Sequence, residues 1–514
     1  MAPIDRFYIT TAIDYANGAP HLGHALEKIG ADAMARYRRL KDEAVHFVVG
    51  MDEHGLKVLQ SAEARAISPQ AWVDDVAAQF RETWARLHIS CDDFIRTTDR
   101  RHHDAVAALI RRMADADDIY EGVYKGYYCV GCEAYKREEE LEGTGEDARC
   151  PLHPNRPITW MEERNWFFRL SRYQQRLIQL LDERPGFVQP EQRRNEVRNV
   201  IESGLDDISV SRSRLPWGVP WPGDEEHTVY VWLDALSNYL AAAGFPNDGY
   251  HALWPADIHV IGKDITRFHC VWWPAFLLSA DIELPETVWA HGFVNFAGAK
   301  LSKSEGVTFT LDAAIERWGA DALRYYLLRE IPWNGDGEVS WDRFDQRYTA
   351  DLANDLGNLV NRTLSMIERY REGVVPAGDE VALDGRIADA VVQYRAAMDA
   401  NLLHQGAAIA LELAGAANAF VEERAPWKQA REPGGAGALD ATLAGLARAV
   451  VTLATLLQPF IPDRADSLAR RLGLDGVPPL AGLAALDLRD RRVSRGEVLF
   501  PKDAEQRGEA TANS

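Results

Sequence analysis

His21 and His24 are the first residues whose types and spacing could do chemistry. They follow an apolar run over residues 7–13 and precede apolar residues at helical spacing. The pattern predicts a strand, a loop and a helix, with both imidazoles in the first turn of the helix. Free backbone N–H groups and the positive end of the helix dipole favour phosphate there. Gly23 between the histidines leaves room for a flat ligand, so we predict a nucleotide site.

A second stretch, residues 300–304, reads Lys-Leu-Ser-Lys-Ser and follows a Gly-Ala turn. Two lysines and two serines in five residues suit a loop that closes over polyphosphate, because ammonium and hydroxyl groups both bind phosphate oxygens. Each stretch alone has an ordinary explanation: a helix cap for the histidines and a solvated turn for the lysines. Their presence in one chain indicates that both contact the nucleotide.

Together the two stretches resemble the paired signature of class I aminoacyl-tRNA synthetases, usually written HIGH and KMSKS. Leu22 stands where the signature has isoleucine and Leu301 where it has methionine, so the chemical residues are kept. The resemblance implies Mg²⁺ as the ion that accompanies ATP. It implies catalytic roles for His21, His24, Lys300 and Lys303.

The composition is that of a soluble globular protein, with 514 residues, 46% of them hydrophobic and 26% charged. A chain of this length can hold about two to four domains. No apolar run reaches the roughly 18 residues of a membrane span, and the N-terminus resembles no signal peptide, so we expect a cytoplasmic protein. The net charge of −21 argues against nucleic-acid binding over the whole surface, but the arginine-rich residues 184–214 are a candidate local basic groove.

Three of the five cysteines cluster in a region rich in Tyr, Gly and Pro. Cys129 and Cys132 form a Cys-x-x-Cys pair, and Cys150 with His153 repeats that spacing with an imidazole. In a cytosolic chain such a cluster indicates a metal before a disulfide. The Cys₃His set predicts one closed, structural Zn²⁺ site, which would stabilise a segment with little core of its own.

The order of all these features resembles the methionyl-tRNA synthetase family over about residues 4–470. Five local stretches carry the same resemblance, namely residues 15–18, 52–55, 231–235, 262–265 and 291–293. The resemblance implies an α/β fold in which a Rossmann-like nucleotide-binding catalytic domain holds a zinc-binding connective insertion and is followed by an all-α anticodon-binding bundle.

We expect the following boundaries: 1–116 for the first half of the catalytic domain, 117–225 for the insertion, 226–297 for the second half, 298–345 for a stem-contact region with the lysine loop, 346–485 for the anticodon-binding domain and 486–514 for a C-terminal tail. Apolar runs predict the strands of the catalytic domain at residues 7–13, 44–49, 228–233, 257–261 and 287–290. A helix is predicted over residues 264–280.

The resemblance also implies the residues that hold methionine. A thioether is long, apolar and only a weak hydrogen-bond acceptor, so its pocket should be aromatic and aliphatic with few donors. Asp52 would hold the ammonium group. The implied set is Ala12, Ile13, Tyr15, Asp52, Trp232, Ala235, Leu236, Tyr239, Ile265 and His269.

For ATP, the resemblance places Asp264 on the ribose and lets the adenine approach Gly23. The implied set is Gly23, Glu27, Gly262, Asp264, Ser302 and Lys303. The implied activity is that of a methionine–tRNA ligase, which forms methionyl-adenylate and pyrophosphate and then charges the terminal adenosine of tRNA(Met). A methionine carboxylate is already ionised at pH 7, so activation needs positioning and positive charge rather than a general base.

The C-terminal half is predicted to be helical, with an apolar stripe through Leu352, Leu356 and Leu359. Asn358 and Arg362 lie four residues apart and off that stripe, so they share a solvent-facing surface. A polar face of this kind is common and by itself indicates nothing. The resemblance implies that both residues bind the anticodon together with Trp427, which would stack on an unpaired base.

Other functions fit parts of the pattern. A sibling synthetase for leucine, valine or isoleucine would need a longer insertion than about 110 residues, and a cysteinyl enzyme would place zinc in the active site. A tRNA-independent nucleotidyltransferase would not need the helical C-terminal half. A zinc protein that binds nucleic acid without catalysis leaves the paired phosphate motifs unexplained. We expect a monomer, because no strand pattern for a dimerising domain follows residue 485.

Overall fold

The computed structural model describes residues 6–129, 134–136, 138–143, 145–156, 158–213, 215–296 and 309–502. Four of the predicted site residues lie outside these ranges: Cys132, Lys300, Ser302 and Lys303.

Strands concentrate in the first 300 residues. They are β1 (Arg6–Thr11), β2 (Asp14–Tyr15), β3 (Ala44–Asp52), β4 (Asp93–Arg96), β5 (Ile119–Cys129), β6 (Ala134–Lys136), β7 (Ile158–Phe168), β8 (Val188–Gln189), β9 (Ile208–Ser209), β10 (Ser211–Ser213), β11 (Pro220–Trp221), β12 (Asp224–Val229), β13 (Ile258–Gly262), β14 (Thr287–His291), β15 (Val294–Phe296) and β16 (Gly337–Val339).

Helices flank the strands and make up most of the chain from residue 309 onward. They are α1 (Leu22–Leu40), α2 (Leu56–Glu63), α3 (Pro69–Arg86), α4 (Arg100–Asp115), α5 (Gln174–Glu183), α6 (Glu191–Glu202), α7 (Val231–Leu236), α8 (Asn238–Ala243), α9 (Trp273–Ser279), α10 (Leu311–Trp318), α11 (Ala320–Glu330), α12 (Trp341–Arg347), α13 (Asn358–Arg371), α14 (Val381–Asp399), α15 (Leu403–Arg424), α16 (Pro426–Gln429), α17 (Ala436–Leu457) and α18 (Pro462–Arg471).

The central sheet is parallel, with strand order β4-β3-β1-β13-β14-β8, and β2 pairs with β3 beyond the end of β1. β1 and β3 are apolar and mostly buried, as strands covered on both faces must be. The chain runs from β1 to β3 on one side and returns to β13 on the other. The order therefore reverses between β1 and β13, and a crevice opens there at the carboxyl ends of the strands.

The predicted strand over residues 228–233 is wrong beyond Val229. β12 ends there, and α7 begins at Val231 after one extended residue, Tyr230. β12 also lies outside the central sheet, between β10 and β11 in an antiparallel sheet. A short apolar run suits a buried strand and a buried helix equally, so periodicity alone does not separate the two.

The predicted helix over residues 264–280 is divided into three parts. A 3₁₀ turn covers Lys263–Ile265, a π-helical turn covers Phe268–Trp272, and α9 follows. Pro274 lies at the start of α9 and has no N–H to donate, so a regular α-helix could not keep all its hydrogen bonds there. The irregular backbone places the side chains between Lys263 and Trp272 beside the crevice.

The predicted insertion is built on an antiparallel sheet with order β6-β5-β7-β9. β5 and β7 pair from Ile119 with Phe168 to Cys129 with Ile158. β8, from the same part of the chain, pairs instead with β14 at the edge of the central sheet. The predicted insertion therefore contributes one short strand to the central sheet.

The arginine-rich stretch does not form an unneutralised basic groove in its described part. Each of its five described arginines lies within 3.3 Å of a carboxylate oxygen. The five are Arg184, Arg193, Arg194, Arg198 and Arg212. Local counter-charges cancel the positive field that the sequence indicated.

The C-terminal half is helical, as predicted, and the stripe through Leu352, Leu356 and Leu359 is buried. A π-helical segment over Tyr348–Gly357 joins α12 to α13. Among the described helices, α17 alone is long and apolar enough to cross a membrane, but 83% of its most apolar window is buried inside the protein. It is the central helix of the bundle.

Helix α1 contacts both halves of the protein. In its middle, the fully buried Asp32 accepts a hydrogen bond of 2.6 Å from Arg324, whose guanidinium also donates to the carbonyl of Pro459. Near its C-terminus, the hydroxyl of Tyr37 donates to Asp399 over 2.8 Å. The helix that begins with the two histidines therefore ends against the helical bundle.

Candidate active site

The candidate site lies at the crevice between β1 and β13. Asp52 ends β3, Gly262 ends β13 and His291 ends β14, so all three lie at the same edge of the sheet. The N-terminus of α1 faces that edge directly after the loop that follows β2. The topology thus brings together segments that are up to 270 residues apart in the chain.

His21 and His24 form a reciprocal cap at the start of α1. Nδ1 of His21 accepts hydrogen bonds from the backbone N–H groups of Gly23, at 3.1 Å, and His24, at 3.4 Å. Nδ1 of His24 accepts from the N–H of His21 at 3.4 Å. The two rings stack with centroids 3.6 Å apart. A Cβ atom at Gly23 would lie 3.1 Å from the His21 ring, so any side chain there would require the ring to shift by a few tenths of an ångström.

The cap determines what the two imidazoles offer a ligand. Because each Nδ1 is an acceptor, a neutral ring carries its proton on Nε2, which becomes a donor. Desolvation and the nearby Lys28 lower the pKa of His21. Desolvation and His21 lower the pKa of His24 to about 3. Both rings are therefore neutral N–H donors at pH 7.

A buried ionic network lies directly behind the cap. The ammonium of Lys28 donates to Asp14 at 2.7 Å, Glu27 at 2.8 Å and the carbonyl of Ala12 at 2.9 Å, which uses all three of its N–H groups. The second oxygen of Glu27 lies 3.2 Å from Nε2 of His291. Lys28 joins the end of β1, strand β2 and the first turns of α1.

The two carboxyl groups of this network differ. Burial raises the pKa of Asp14 to about 7 despite Lys28. Burial also raises the pKa of Glu27, but Lys28 and His291 outweigh it and bring the pKa down to about 2. Glu27 is therefore ionised at neutral pH, whereas Asp14 exchanges its proton there.

Asp264 and Gly262 lie on the opposite side of the crevice. Burial raises the pKa of the Asp264 carboxyl. A Cβ atom at Gly262 would lie 2.7 Å from Oδ1 of Asp264, so a side chain there would displace the carboxylate. Gly262 and Asp264 are placed together, as a pair that contacts one nucleoside must be.

A cavity of about 820 Å³ opens from the crevice toward the predicted insertion. Its wall includes every residue predicted to hold methionine, together with Asp264. Those ten are Ala12, Ile13, Tyr15, Asp52, Trp232, Ala235, Leu236, Tyr239, Ile265 and His269. Trp232 stacks face to face on Phe268 with centroids 3.6 Å apart. The aromatic and aliphatic side chains among these ten suit an amino acid with a long apolar side chain, and Asp52 adds a carboxylate to the same wall.

The polar groups of the chamber are linked to each other. The hydroxyl of Tyr239 donates to Nε2 of His269 at 2.7 Å, and Nδ1 of His269 lies 3.1 Å from the carbonyl of Ile265. Desolvation lowers the pKa of His269 to about 4, so the ring is neutral. Both of its nitrogens are engaged, and a ligand meets Tyr239 and His269 as one rigid unit.

Three of the four predicted zinc ligands converge. Ligand atoms of Cys129, Cys150 and His153 all lie within 4.8 Å of one another. Cys129 ends β5, and the backbone N–H of His153 donates to the carbonyl of Cys150 in the second turn. Two thiol sulfurs and an imidazole at this separation fit three corners of one tetrahedral metal site.

The three residues predicted to bind the anticodon lie on neighbouring ends of two helices. Asn358 is exposed at the start of α13, and Arg362 follows one turn later. The guanidinium of Arg362 pairs with Glu422 in the last turns of α15 at 2.6 Å. Trp427 follows in the short α16, half-buried against the core. The structure thus groups Arg362 with the segment that carries Trp427.

Some residues around the site received no individual role from the sequence, although three of them, His54, Asp234 and His291, lie within the stretches that carried the resemblance. They are Asp14, Lys28, His54, His102, Asp234 and His291. The available signal was a charged residue inside an apolar pattern, as with Lys28 before Ile29 and Asp234 after Leu233. Such residues are buried only when paired, so the positions themselves pointed to partners.

Family models match nearly the whole chain. One that is described as "tRNA synthetases class I (M)" matches residues 7–364, and one described as "Anticodon binding domain of methionyl tRNA ligase" matches residues 371–508. A methionine–tRNA ligase of Brucella suis is 45% identical, with 90% of this chain and 91% of the relative aligned. One of Streptomyces coelicolor is 40% identical, with 96% of each chain aligned.

Solved structures give the same result. The chain superposes on Mycobacterium tuberculosis methionyl-tRNA synthetase in complex with methionyl-adenylate with a TM-score of 0.91, at 40% identity and with 97% of this chain and 100% of that chain covered. For the apo form of the same protein the TM-score is 0.86, at 38% identity, with 97% and 98% covered.

Proposed function

This chain belongs to the methionyl-tRNA synthetase family, and from that premise we propose that it is a methionine–tRNA ligase that forms methionyl-adenylate from methionine and ATP and transfers methionine to tRNA(Met). The cavity carries this proposal: the predicted methionine residues all line one chamber that opens at the nucleotide crevice. An amino-acid carboxylate and an α-phosphate could meet there in line.

We propose that the chain's own residues activate methionine by orientation and charge. Asp52 in the cavity wall would bind the ammonium group, and Trp232 with Tyr239 would hold the side chain. Nε2–H groups of His21 and His24 would donate to phosphate oxygens and stabilise the charge that develops on the leaving pyrophosphate. Lys300 and Lys303 would close over the same oxygens. Mg²⁺ would enter with ATP and neutralise part of its charge.

Nucleoside binding would use the other side of the crevice. Asp264 would accept hydrogen bonds from the ribose hydroxyls, and Glu27, whose pKa is lowered to about 2, would accept from the base or sugar. Ser302 would add a hydroxyl donor to the phosphates. Gly23 and Gly262 have no side chain and would leave room for the nucleotide.

The direct test is ATP–pyrophosphate exchange with each of the twenty amino acids, without tRNA. We expect exchange with methionine and background rates with the other nineteen. Exchange with a different amino acid would keep the mechanism and overturn the pocket. If no amino acid supports exchange with or without tRNA, the proposed function is wrong.

We propose that one structural Zn²⁺ is held by Cys129, Cys132, Cys150 and His153. Purified protein is expected to carry one zinc per chain by native mass spectrometry. Cys150→Ala should lose the metal and lower the melting temperature, because metal binding supplies folding energy to a loop-rich segment. Cys91→Ala, at a half-buried cysteine outside the cluster, should keep the zinc. The proposal would be contradicted if the purified wild-type protein carried no zinc and its melting temperature did not change on treatment with a chelator.

We propose that Asn358, Arg362 and Trp427 bind the anticodon. Trp427→Ala should lower aminoacylation of tRNA(Met) about 10–100-fold at limiting tRNA, because stacking on a base contributes about 1–3 kcal/mol. Methionine-dependent exchange should stay within a factor of about two, since it needs no tRNA. Trp427→Phe keeps an aromatic face and is expected to retain most activity. Equal losses in both assays would refute an anticodon role.

We also propose that the enzyme works as a cytoplasmic monomer. Light scattering coupled to size-exclusion chromatography at micromolar concentration tests the oligomeric state. A mass near 57.5 kDa is the expected result.

A further inference from the structure

Asp234 lies at the centre of a buried cluster that the mechanism does not use. Its Oδ2 lies 2.6 Å from Nδ1 of His54, and its Oδ1 lies 2.6 Å from Nε2 of His102. The side chains of Asp234 and His102 are fully buried, and that of His54 is 5% exposed. The three come from α7, the loop after β3 and the first turn of α4.

The cluster holds the Asp234 carboxylate in one orientation. Burial raises its pKa, but His54 and His102 outweigh burial and keep the pKa well below the usual range, so the group is ionised. A separate ring binds each oxygen, which fixes both the position and the plane of the carboxylate. Loss of one ring would leave a buried charge only partly satisfied.

The residues around Asp234 place this cluster between two walls of the cavity. Trp232 and Ala235, on the same short helix, line one wall. Asp52, two residues before His54, lines the other. Through the cluster, the wall that faces the amino-acid side chain is tied directly to the segment that would bind its ammonium group.

A second contact supports the His54 segment. The indole N–H of Trp217 donates to the carbonyl of Glu53 at 2.6 Å, and the Trp217 ring packs edge-on against His54 with centroids 5.5 Å apart. By contrast, α7 has only six residues and no side-chain cap at its N-terminus. Asp234 is therefore the polar anchor that holds α7 to this better-supported segment.

We propose that Asp234, with His54 and His102, forms a positioning unit that sets the length of the methionine pocket and thereby the choice of methionine over amino acids one methylene shorter or longer. This inference rests on the proposed function. The unit touches no substrate and acts through Trp232, Ala235 and Asp52. If the two walls are free to shift relative to each other, the pocket accepts amino acids with shorter or longer side chains.

The experiment compares exchange kinetics for three amino acids: methionine, ethionine with one more methylene, and S-methylcysteine with one fewer. In Asp234→Asn the KM for methionine is expected to rise about 10-fold, and the preference in kcat/KM for methionine over each analogue to fall about 10-fold, the scale of one methylene. The KM for ATP should stay within about twofold.

His102→Asn removes one anchor and should shift the same ratios in the same direction, which keeps the test available if Asp234→Asn does not fold. His103→Asn is the matched control. His103 is the next residue of α4, and its ring packs edge-on against His54 with centroids 5.7 Å apart. Among the described contacts it makes no hydrogen bond to Asp234, so His103→Asn should keep wild-type ratios.

Unchanged ratios in Asp234→Asn and His102→Asn, with only a lower melting temperature, would show a merely structural role and overturn the inference. Equal rises in KM for methionine and ATP would do the same. Neither outcome bears on the proposed function, which fails if the wild-type enzyme shows no methionine-dependent exchange either with or without tRNA.

Discussion

Replacing His24 by alanine should lower kcat for methionine-dependent ATP–pyrophosphate exchange about 10²–10³-fold, the usual effect of removing one donor from charge that develops in a transition state. The substitution removes the Nε2 donor and also the Nδ1 acceptor that caps the backbone N–H of His21. The KM for methionine should change little, because His24 is not among the residues that line the methionine chamber. Pyrophosphate exchange at saturating ATP measures the loss.

The neutral state of the ring makes a sharper test possible. Because the His24 pKa is lowered to about 3, the ring donates as a neutral N–H and not as a cation. His24→Gln places an amide N–H near the position of Nε2 and should retain more activity than His24→Ala. If instead His24→Gln is as inactive as alanine and His24→Lys is the better substitute, then positive charge at this position is what the reaction needs.

Replacing Lys28 by methionine should lower the free energy of unfolding by about 3–5 kcal/mol, since it leaves buried carboxylates without their shared ammonium. The loss should grow between pH 6 and pH 8. With Lys28 present, burial raises the Asp14 pKa to about 7, and loss of the ammonium raises it further. Above pH 7 the folded variant must therefore keep a proton on Asp14 that folded wild type releases and the unfolded chain does not bind, so the stability of the variant falls further as pH rises. Urea denaturation at both pH values measures the difference.

Two further variants isolate the cause. Asp14→Asn combined with Lys28→Met removes one carboxylate with the ammonium and should recover a large part of the stability lost in Lys28→Met alone. Lys41→Met, at the C-cap of the same helix, removes a partly exposed ammonium that pairs with Asp399 and should cost less than about 1 kcal/mol. Similar losses at positions 28 and 41 would contradict the buried-network explanation.

Periodicity and motif spacing were sufficient for the parts of the fold that are apolar on a regular pattern. The runs around Ile9 and Val48 are buried parallel strands, and the spacing after Leu22 is a long helix. The two histidines that cap this helix lie at its start, directly after the loop that follows the strand. Regular burial produces a regular sequence signal, so these elements were predictable.

Other features depend on partners that no local pattern shows. Lys28 follows Glu27 in α1, and a helical wheel would assign both to a solvent-exposed polar face. Lys28 is nevertheless fully buried, because Asp14 of β2 supplies a carboxylate partner. The apolar residues after Val229 were assigned to a strand, whereas tertiary packing makes them a helix. The sequence around Arg198 predicted a basic surface, but in the folded chain carboxylates such as Asp182 neutralise these arginines. Charge and burial at such positions are properties of the assembled fold.

The course of α1 also bears on how the molecule can come apart. Its 19 residues span about 28 Å, from the histidine cap to the contact between Tyr37 and Asp399. The ion pair between Asp32 and Arg324 lies between these ends and is fully buried. Truncation before residue 346 would remove Asp399 and the carbonyl of Pro459, which are the partners of Tyr37 and Arg324, and would expose the face of α1 that packs on the bundle. We therefore expect the catalytic part to be less stable when it is separated from the helical part.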